Sequence, residues 1–386
     1  MVLKKFAAIA AGMTLALGLA ACSGDGAGST DTSSSGDTAA MEGGLIGVAM
    51  PTQTSERWIA DGDAVKSGLE AAGYEVDLQF ANDDIPTQQQ QIDQMITKGA
   101  ELLIVAAIDG TALSGQLQSA ADEGIKVISY DRLIRDTENV DFYVTFDNEK
   151  VGVQQATSLL VGMGFLNEDG SEAAEAPTDP MNVELFAGSL DDNNAHFFWK
   201  GAIATLQPYI DGGQLVVKSE QTTIEQAATL RWQQETAQKR MEDLLTVAYN
   251  DGSLVQGVLS PYDGISRGII TALQNAGYGT DEKPMPPVTG QDAEIASVKL
   301  IDDGTQFATI FKDTRKLAEQ SVVAAQSFLS GDAPEANDVE TYDNGKKIVP
   351  SYLLSSDIVY KDTITSLLVD SDYWTADEVA SGVAAG

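Results

Sequence analysis

Cysteine occurs once, at Cys22, so no disulfide can form within the chain and no cysteine-based metal cluster can assemble from it. Histidine also occurs once, at His196 in the apolar stretch "HFFW", where packing or surface exposure is the ordinary use of an imidazole. Basic residues are scarce: 23 Lys and Arg stand against 58 Asp and Glu, for a formal net charge of −35. A surface of that sign repels nucleic-acid phosphates and anionic lipid headgroups. Long apolar runs are missing too. Phe6 to Ala21, sixteen residues without a charge, is the nearest approach and is too short to span a bilayer comfortably. No Walker-type Gly-x-x-x-x-Gly-Lys-Ser/Thr loop is present, and "GDGAGS" in the early part of the chain has neither a strand before it nor a helix after it.

What the chain does have begins with that apolar run. Lys4 and Lys5 precede it and "LAAC" closes it at Cys22, which reads as a secretory signal over residues 1–21. Leu-Ala-Ala-Cys resembles the lipobox of bacterial lipoproteins, in which the thiol is acylated and becomes the first residue of the mature protein. Residues 22–44 then read as a lipidated cysteine followed by a Ser/Gly/Thr/Asp tether. About 20 such residues reach on the order of 25 Å.

From Leu45 onward, short apolar runs alternate with helical stretches. "LIGVAM" (45–50), "YEVDLQFA" (74–81), "LLIVAAI" (102–108), "KVISYD" (126–131) and "YVTFD" (143–147) form one series. "NVELFAG" (182–188), "QLVVKS" (214–219), "VQGVLSPY" (255–262), "PPVTGQD" (286–292) and "FATIFK" (307–312) form a second. Strands alternating with helices at this spacing predict parallel sheets of right-handed βαβ units, and two series predict two doubly wound lobes. The acidic stretch 168–180 lacks calcium-ligand spacing and reads as a solvated loop.

Ligands of open parallel sheets bind at the carboxyl ends of the strands. At nearly every such end this chain carries a polar or aromatic group: Arg57 and Trp58, Asp109, Asp131 and Arg132, Asp192 and Asn194, Asp263, Asp292 and Lys312, with Trp232 in a polar stretch between elements. Any one Asp or Asn here could be a helix cap. Caps have no need of neighbouring Arg, Lys and Trp, so the set predicts a shared polar site. Carboxylates, amides and guanidinium groups together match vicinal hydroxyls, which both donate and accept, and indole rings match the C–H face of a pyranose. A neutral monosaccharide fits this set better than a phosphate or an amino acid does. Nothing positive supports catalysis, and neither cofactor nor metal is expected. Trp58 shares a helical stripe with Val65, Leu69 and Ala72, so its register favours core while its place in the first turn favours the cleft.

"MPTQTSERWIADGD", "IDGTALS", "ISYDRLI", "VTFDNEKVGVQQA", "LFAGSLDDNNAHFFWKGA", "LSPYDG", "VTGQDAE" and "TIFKDTRKLA", in this order, resemble the multiple-monosaccharide-binding and xylose-binding proteins of bacterial ABC sugar importers. The resemblance covers 45–375 and implies a type I periplasmic-binding fold, two α/β lobes joined by three crossings near 146–148, 311–312 and about Gly345. It implies a first lobe of 45–147 plus 313–345, a second of 148–312 plus 346–375, with "KKIVPSYLL" in the second, and a tail at 376–386. By motif, Arg57, Trp58, Asp109, Asp131 and Arg132 would contact sugar from the first lobe. Asp192, Asn194, Trp232, Asp263 and Asp292 would do so from the second, with Lys312 at a hinge. Tyr262 stands where several pentose binders carry Asn, which implies a broader aldose range such as glucose, galactose, xylose and arabinose. The implied protein is a non-enzymatic, monomeric lipoprotein on the outer face of the cytoplasmic membrane, periplasmic where an outer membrane exists. It would hand sugar to an ABC permease and its ATPase, the alternative being presentation to a receptor kinase or chemoreceptor.

Overall fold

A computed structural model describes residues 43–385; the signal segment, Cys22 and most of the 22–44 tether lie outside the described residues. The chain runs β1 (Leu45–Met50), α1 (Glu56–Ala71), β2 (Glu75–Phe80), α2 (Ile85–Thr97), β3 (Leu102–Val105), α3 (Ser114–Asp122), β4 (Lys126–Tyr130) and β5 (Phe142–Phe146). It continues with α4 (Asn148–Gly162), β6 (Met181–Leu185), α5 (Asn193–Asp211), β7 (Leu215–Val217), α6 (Ile224–Ala227), α7 (Gln234–Val247), β8 (Gly257–Leu259) and α8 (Asp263–Asn275). The remainder is α9 (Ile295–Asp302), β9 (Thr309–Phe311), α10 (Thr314–Leu329), β10 (Ser351–Leu354), β11 (Asp357–Val359) and α11 (Ala376–Ser381).

Two sheets result. The first has six strands in the order β10-β5-β4-β3-β1-β2, all parallel. Its strands are apolar on both faces, as expected for a sheet covered by helices on either side. The second has β7-β6-β8 at its centre and extends through single bridges, Val258 to Val288 and Gln291 to Ile310, to the antiparallel pair β9-β11. The expected strand 286–292 therefore contributes isolated bridges rather than a ladder. α4 and α5 lie close enough that a Cβ on Gly201 would stand 2.0 Å from the Glu149 carbonyl oxygen, so this crossing requires glycine.

The end of the chain departs from expectation. "KKIVPSYLL" does not finish in the second lobe, because Ser351–Leu354 pairs with Tyr143–Phe146 at the edge of the first sheet. The third crossing consequently falls between β10 and β11, at 355–356, not near Gly345. An exposed edge at β5 would leave a row of backbone groups unpaired, and β10 satisfies them. The segment set apart as a tail is also structured through 381: Val379 of α11 is buried in a cluster with Val298, Ile301 and Leu368.

Candidate functional site

The carboxyl ends of both sheets face one cavity of about 320 Å³, at the small end of the range for small-molecule sites. Arg57 sits in the first turn of α1. Ser55, at the cap position, makes no cap of its own and instead donates from Oγ to Glu294 Oε1 at 2.8 Å, from one lobe to the other. Arg57 donates through Nε to Asp61 Oδ2 at 2.9 Å and through Nη2 to Asp131 Oδ1 at 3.1 Å, and Nη1 lies 3.5 Å from Asp292 Oδ1. Lys312 closes the circuit, with Nζ 3.0 Å from Asp292 Oδ1 and 4.0 Å from Asp131 Oδ1. All five of these groups are buried, Asp61 behind the other four. Two cations thus face two carboxylates across the lobes, a balanced arrangement that suits an uncharged ligand with many hydroxyls better than an ion.

Burial sets the protonation tendencies and the neighbours decide them. Burial pushes the Asp131 carboxyl up, but Arg57, Lys312 and Arg132 together outweigh it and hold Asp131 below the usual carboxylate range. Burial also works against the Arg57 charge, and Asp131, Asp61 and Asp292 more than restore it. Asp61, which also accepts from the Tyr130 hydroxyl, is pushed up to about 6, since burial exceeds what Arg57 returns. Asp192 is likewise raised by burial, with Arg132 offsetting part of the rise.

Asp131 has a left-handed backbone, φ +57°. Its carbonyl accepts from Tyr143 Oη at 2.7 Å, Thr145 Oγ1 at 3.0 Å and Asn194 Nδ2 at 2.7 Å, so three donors, one of them from the second lobe, hold the strained residue in place. Asp192 serves twice. Its Oδ1 caps α5 by accepting from Asn194 N at 2.9 Å, and its Oδ2 lies 3.2 Å from Arg132 Nε of the first lobe.

Trp58 is both core and wall. It is 4% exposed within the main first-lobe cluster, lines the cavity, and has the guanidinium carbons of Arg57 and Arg132 at 4.5 and 5.0 Å from its ring centroid. Trp232 belongs to the other lobe. Left-handed backbone at Arg231 and Trp232, φ +55° and +59°, aims its ring at Gly188, where an added Cβ would lie 2.0 Å from the indole. Phe198 and Tyr262 meet it edge-on, with centroids 6.3 and 6.1 Å away. Its buried indole N–H has no hydrogen-bond partner among the described residues.

Nine of the expected residues therefore meet in one cavity: Arg57, Trp58, Asp131, Arg132, Asp192, Asn194, Trp232, Asp292 and Lys312. Two do not. Asp109 points into its own loop, where Oδ1 accepts from Thr111 N and Oγ1 at 2.8 Å each. Asp263 lies fully buried behind the wall, accepting from Gln306 Nε2 and Glu294 N at 2.9 Å each, and burial with nearby Glu294 pushes it up to about 8. Both are loop and helix-start carboxylates of the kind that satisfy backbone donors. His196 is exposed on α5, away from the cavity lining.

The cavity also uses residues that the strand-end rule did not single out. Asp83 follows β2 in a left-handed pair with Asn82, so the same rule reaches it. Arg267 lies one turn beyond Asp263 on α8, donating to Glu294 Oε2 at 2.7 Å, while Tyr262 Oη donates to Glu294 Oε1 at 2.7 Å.

Comparison with known proteins identifies the family. Residues 46–333 match the family model described as periplasmic binding protein domain. A multiple sugar-binding periplasmic receptor of Rhizobium radiobacter is 52% identical over 340 residues, 88% of this chain and 93% of that protein. The D-xylose-binding periplasmic protein of Escherichia coli is 34% identical, covering 86% of this chain and 92% of its own. An ABC transporter solute binding protein of Clostridium phytofermentans, solved with bound β-D-glucose, superposes with a TM-score of 0.81 at 42% identity, covering 87% of this chain and 99% of that one.

Proposed function

The chain belongs to the periplasmic binding protein family and has its type I fold, and from that premise we propose that it is an extracytoplasmic binding protein for monosaccharides. The observation that carries the reading is the cross-lobe set Arg57–Asp131–Lys312–Asp292, charge-balanced, buried and flanked by Trp58 and Trp232. Asp131 and Asp292 accept from sugar hydroxyls, Arg57, Arg132, Asn194 and Lys312 donate to them, and the two indoles cover the C–H faces. Such a ligand touches both lobes at once, so its binding favours the closed arrangement over an open one.

In this reading the protein is a binding component and not an enzyme. It is held to the membrane through lipidated Cys22 and passes an aldose to an ABC permease. A second reading, presentation of the sugar to a membrane receptor, draws on the receptor of Rhizobium radiobacter at 52% identity. Recovery of membrane partners with and without sugar separates the two. The ligand reading is tested by thermal melts against glucose, galactose, xylose, arabinose, fucose and ribose. A ligand that binds only the folded protein must raise the melting temperature, by an amount equivalent to about 2.7 kcal/mol at a hundredfold excess over Kd. No shift with any of the six would end the monosaccharide assignment.

A further inference from the structure

Behind Asp292 the chain does something costly. Asp292 and Ala293 are consecutive residues with left-handed backbones, φ +91° and +50°, and neither is glycine. Such conformations persist only where the surroundings hold them. On one side β9 does so: Asp292 N donates to Ile310 O at 2.9 Å and Ala293 N to Thr309 Oγ1 at 3.2 Å. On the other side the Ala293 carbonyl accepts from Trp374 Nε1 at 2.8 Å. Ala293 is completely buried, so without the indole its carbonyl has no water to turn to.

Trp374 lies in the segment that follows β11, beyond residues 46–333 matched by the family model. The same segment also backs Lys312, the cation paired with Asp292. The ring of Tyr373 packs edge-on against Phe311, centroids 4.7 Å apart, and Phe311 immediately precedes Lys312. Arg315 Nη1 donates to Ser371 O at 3.0 Å, tying α10 to this segment. One short stretch of chain therefore backs both Asp292 and Lys312.

We propose that Trp374 is a positioning residue for the binding site, acting through the Ala293 carbonyl to hold the Asp292 carboxylate on Lys312 and Arg57. The effect on ligand affinity rests on the monosaccharide reading above; the effect on the Asp292–Ala293 backbone does not. The informative variant is Trp374→Phe, which removes the N–H donor and keeps a ring in place. Val379→Ala serves as comparison, since it loosens the same C-terminal cluster, to which Ala293 also belongs, but keeps the Trp374–Ala293 hydrogen bond.

Two readouts are taken on each purified protein: amide hydrogen exchange at Asp292 and Ala293, and calorimetric affinity for D-glucose and D-xylose. In Trp374→Phe these two amides should exchange roughly tenfold faster, from the loss of one buried hydrogen bond, with β3 and β4 unchanged. Sugar affinity should fall about five- to tenfold. Val379→Ala should lower the melting temperature while leaving both amides and the affinity near wild type. Unchanged exchange at Asp292 and Ala293 in Trp374→Phe, or the same pattern in both variants, overturns the proposal. If the wild type binds neither of these nor any other of the six aldoses, the ligand reading fails on its own and the exchange result still decides the role of Trp374.

Discussion

The two walls of the cleft are built in different ways. The first-lobe wall rests on a six-stranded parallel sheet, and its functional side chains grow out of the core itself: Trp58 packs among Val48, Val65 and Tyr130, and Arg57 is locked to Asp61 within its own helix. The second-lobe wall stands on strands of three to five residues joined partly by single bridges. Its side chains are held by left-handed turns at Arg231–Trp232 and Asp292–Ala293 and by local hydrogen bonds to Glu294. The lesson is that one wall is preorganised mainly by packing, with the strained and hydrogen-bonded Asp131 as its exception, and the other mainly by backbone strain and polar contacts. Substitution in the first should damage fold and binding together, and in the second should damage binding while leaving most of the stability.

The largest expected effect comes from Arg57→Ala, which leaves Asp61 and Asp131 buried without their shared cation. It should cost roughly 3–5 kcal/mol of stability and abolish measurable sugar binding. Trp58→Ala should cost about 3–5 kcal/mol by opening a core cavity. Trp232→Ala and Asp292→Ala are the counterparts across the cleft. Asp292→Ala should lose about 1–3 kcal/mol of affinity and, by unpairing buried Lys312, some stability as well, whereas Trp232→Ala should melt well above the first-lobe pair. Denaturant melts alongside calorimetry decide this, and equal stability losses on the two sides would erase the distinction.

The next effect is one of pH. Each lobe buries a carboxylate behind its wall, but Asp61 has Arg57 on it and rises only to about 6, whereas Asp263 has Glu294 as a neighbour and rises to about 8. A carboxyl raised on folding stabilises the protein most when protonated, fully below its unfolded value near 4, and that contribution is lost as pH rises through the folded value. Its removal by Asp263→Asn should therefore flatten the fall in melting temperature between about pH 4 and 8. Asp61→Asn should alter only the part below about pH 6. A wild-type melting temperature that rises steadily across the whole window would contradict the assignment to Asp263.

The smallest effect sharpens the second wall alone. Gly188→Ala places a methyl against the Trp232 indole, an overpacking that typically costs about 1–3 kcal/mol where nothing can yield. Here the turn can yield, so the ring should shift and affinity should drop several-fold with little change in melting temperature. Unaltered affinity would show that Trp232 does not need that seat.

Much of this site was legible because its chemistry sits at strand ends and strand ends are written in apolar runs. Asp131, Asp192, Asp292 and Lys312 were found that way. The same rule overreached at Asp109 and Asp263, since a carboxylate that satisfies Thr111 or Glu294 backbone donors looks identical in sequence to one that faces a ligand. Trp58 was ambiguous for a physical reason: a first-turn residue at a cleft mouth is in the core and in the wall at once. What sequence spacing could not supply was contact between distant segments. The pairing of β10 with β5, the Ser55–Glu294 bond and the Trp374–Ala293 bond join residues far apart in the chain, and no local period encodes them.

The central claim is that one neutral sugar is held between these two walls. Titration calorimetry of the wild-type protein with the six aldoses tests it most directly. The account predicts saturable heat at one sugar per chain for at least one of them, lost in Arg57→Ala. No heat with any, or heat that survives Arg57→Ala unchanged, would contradict it.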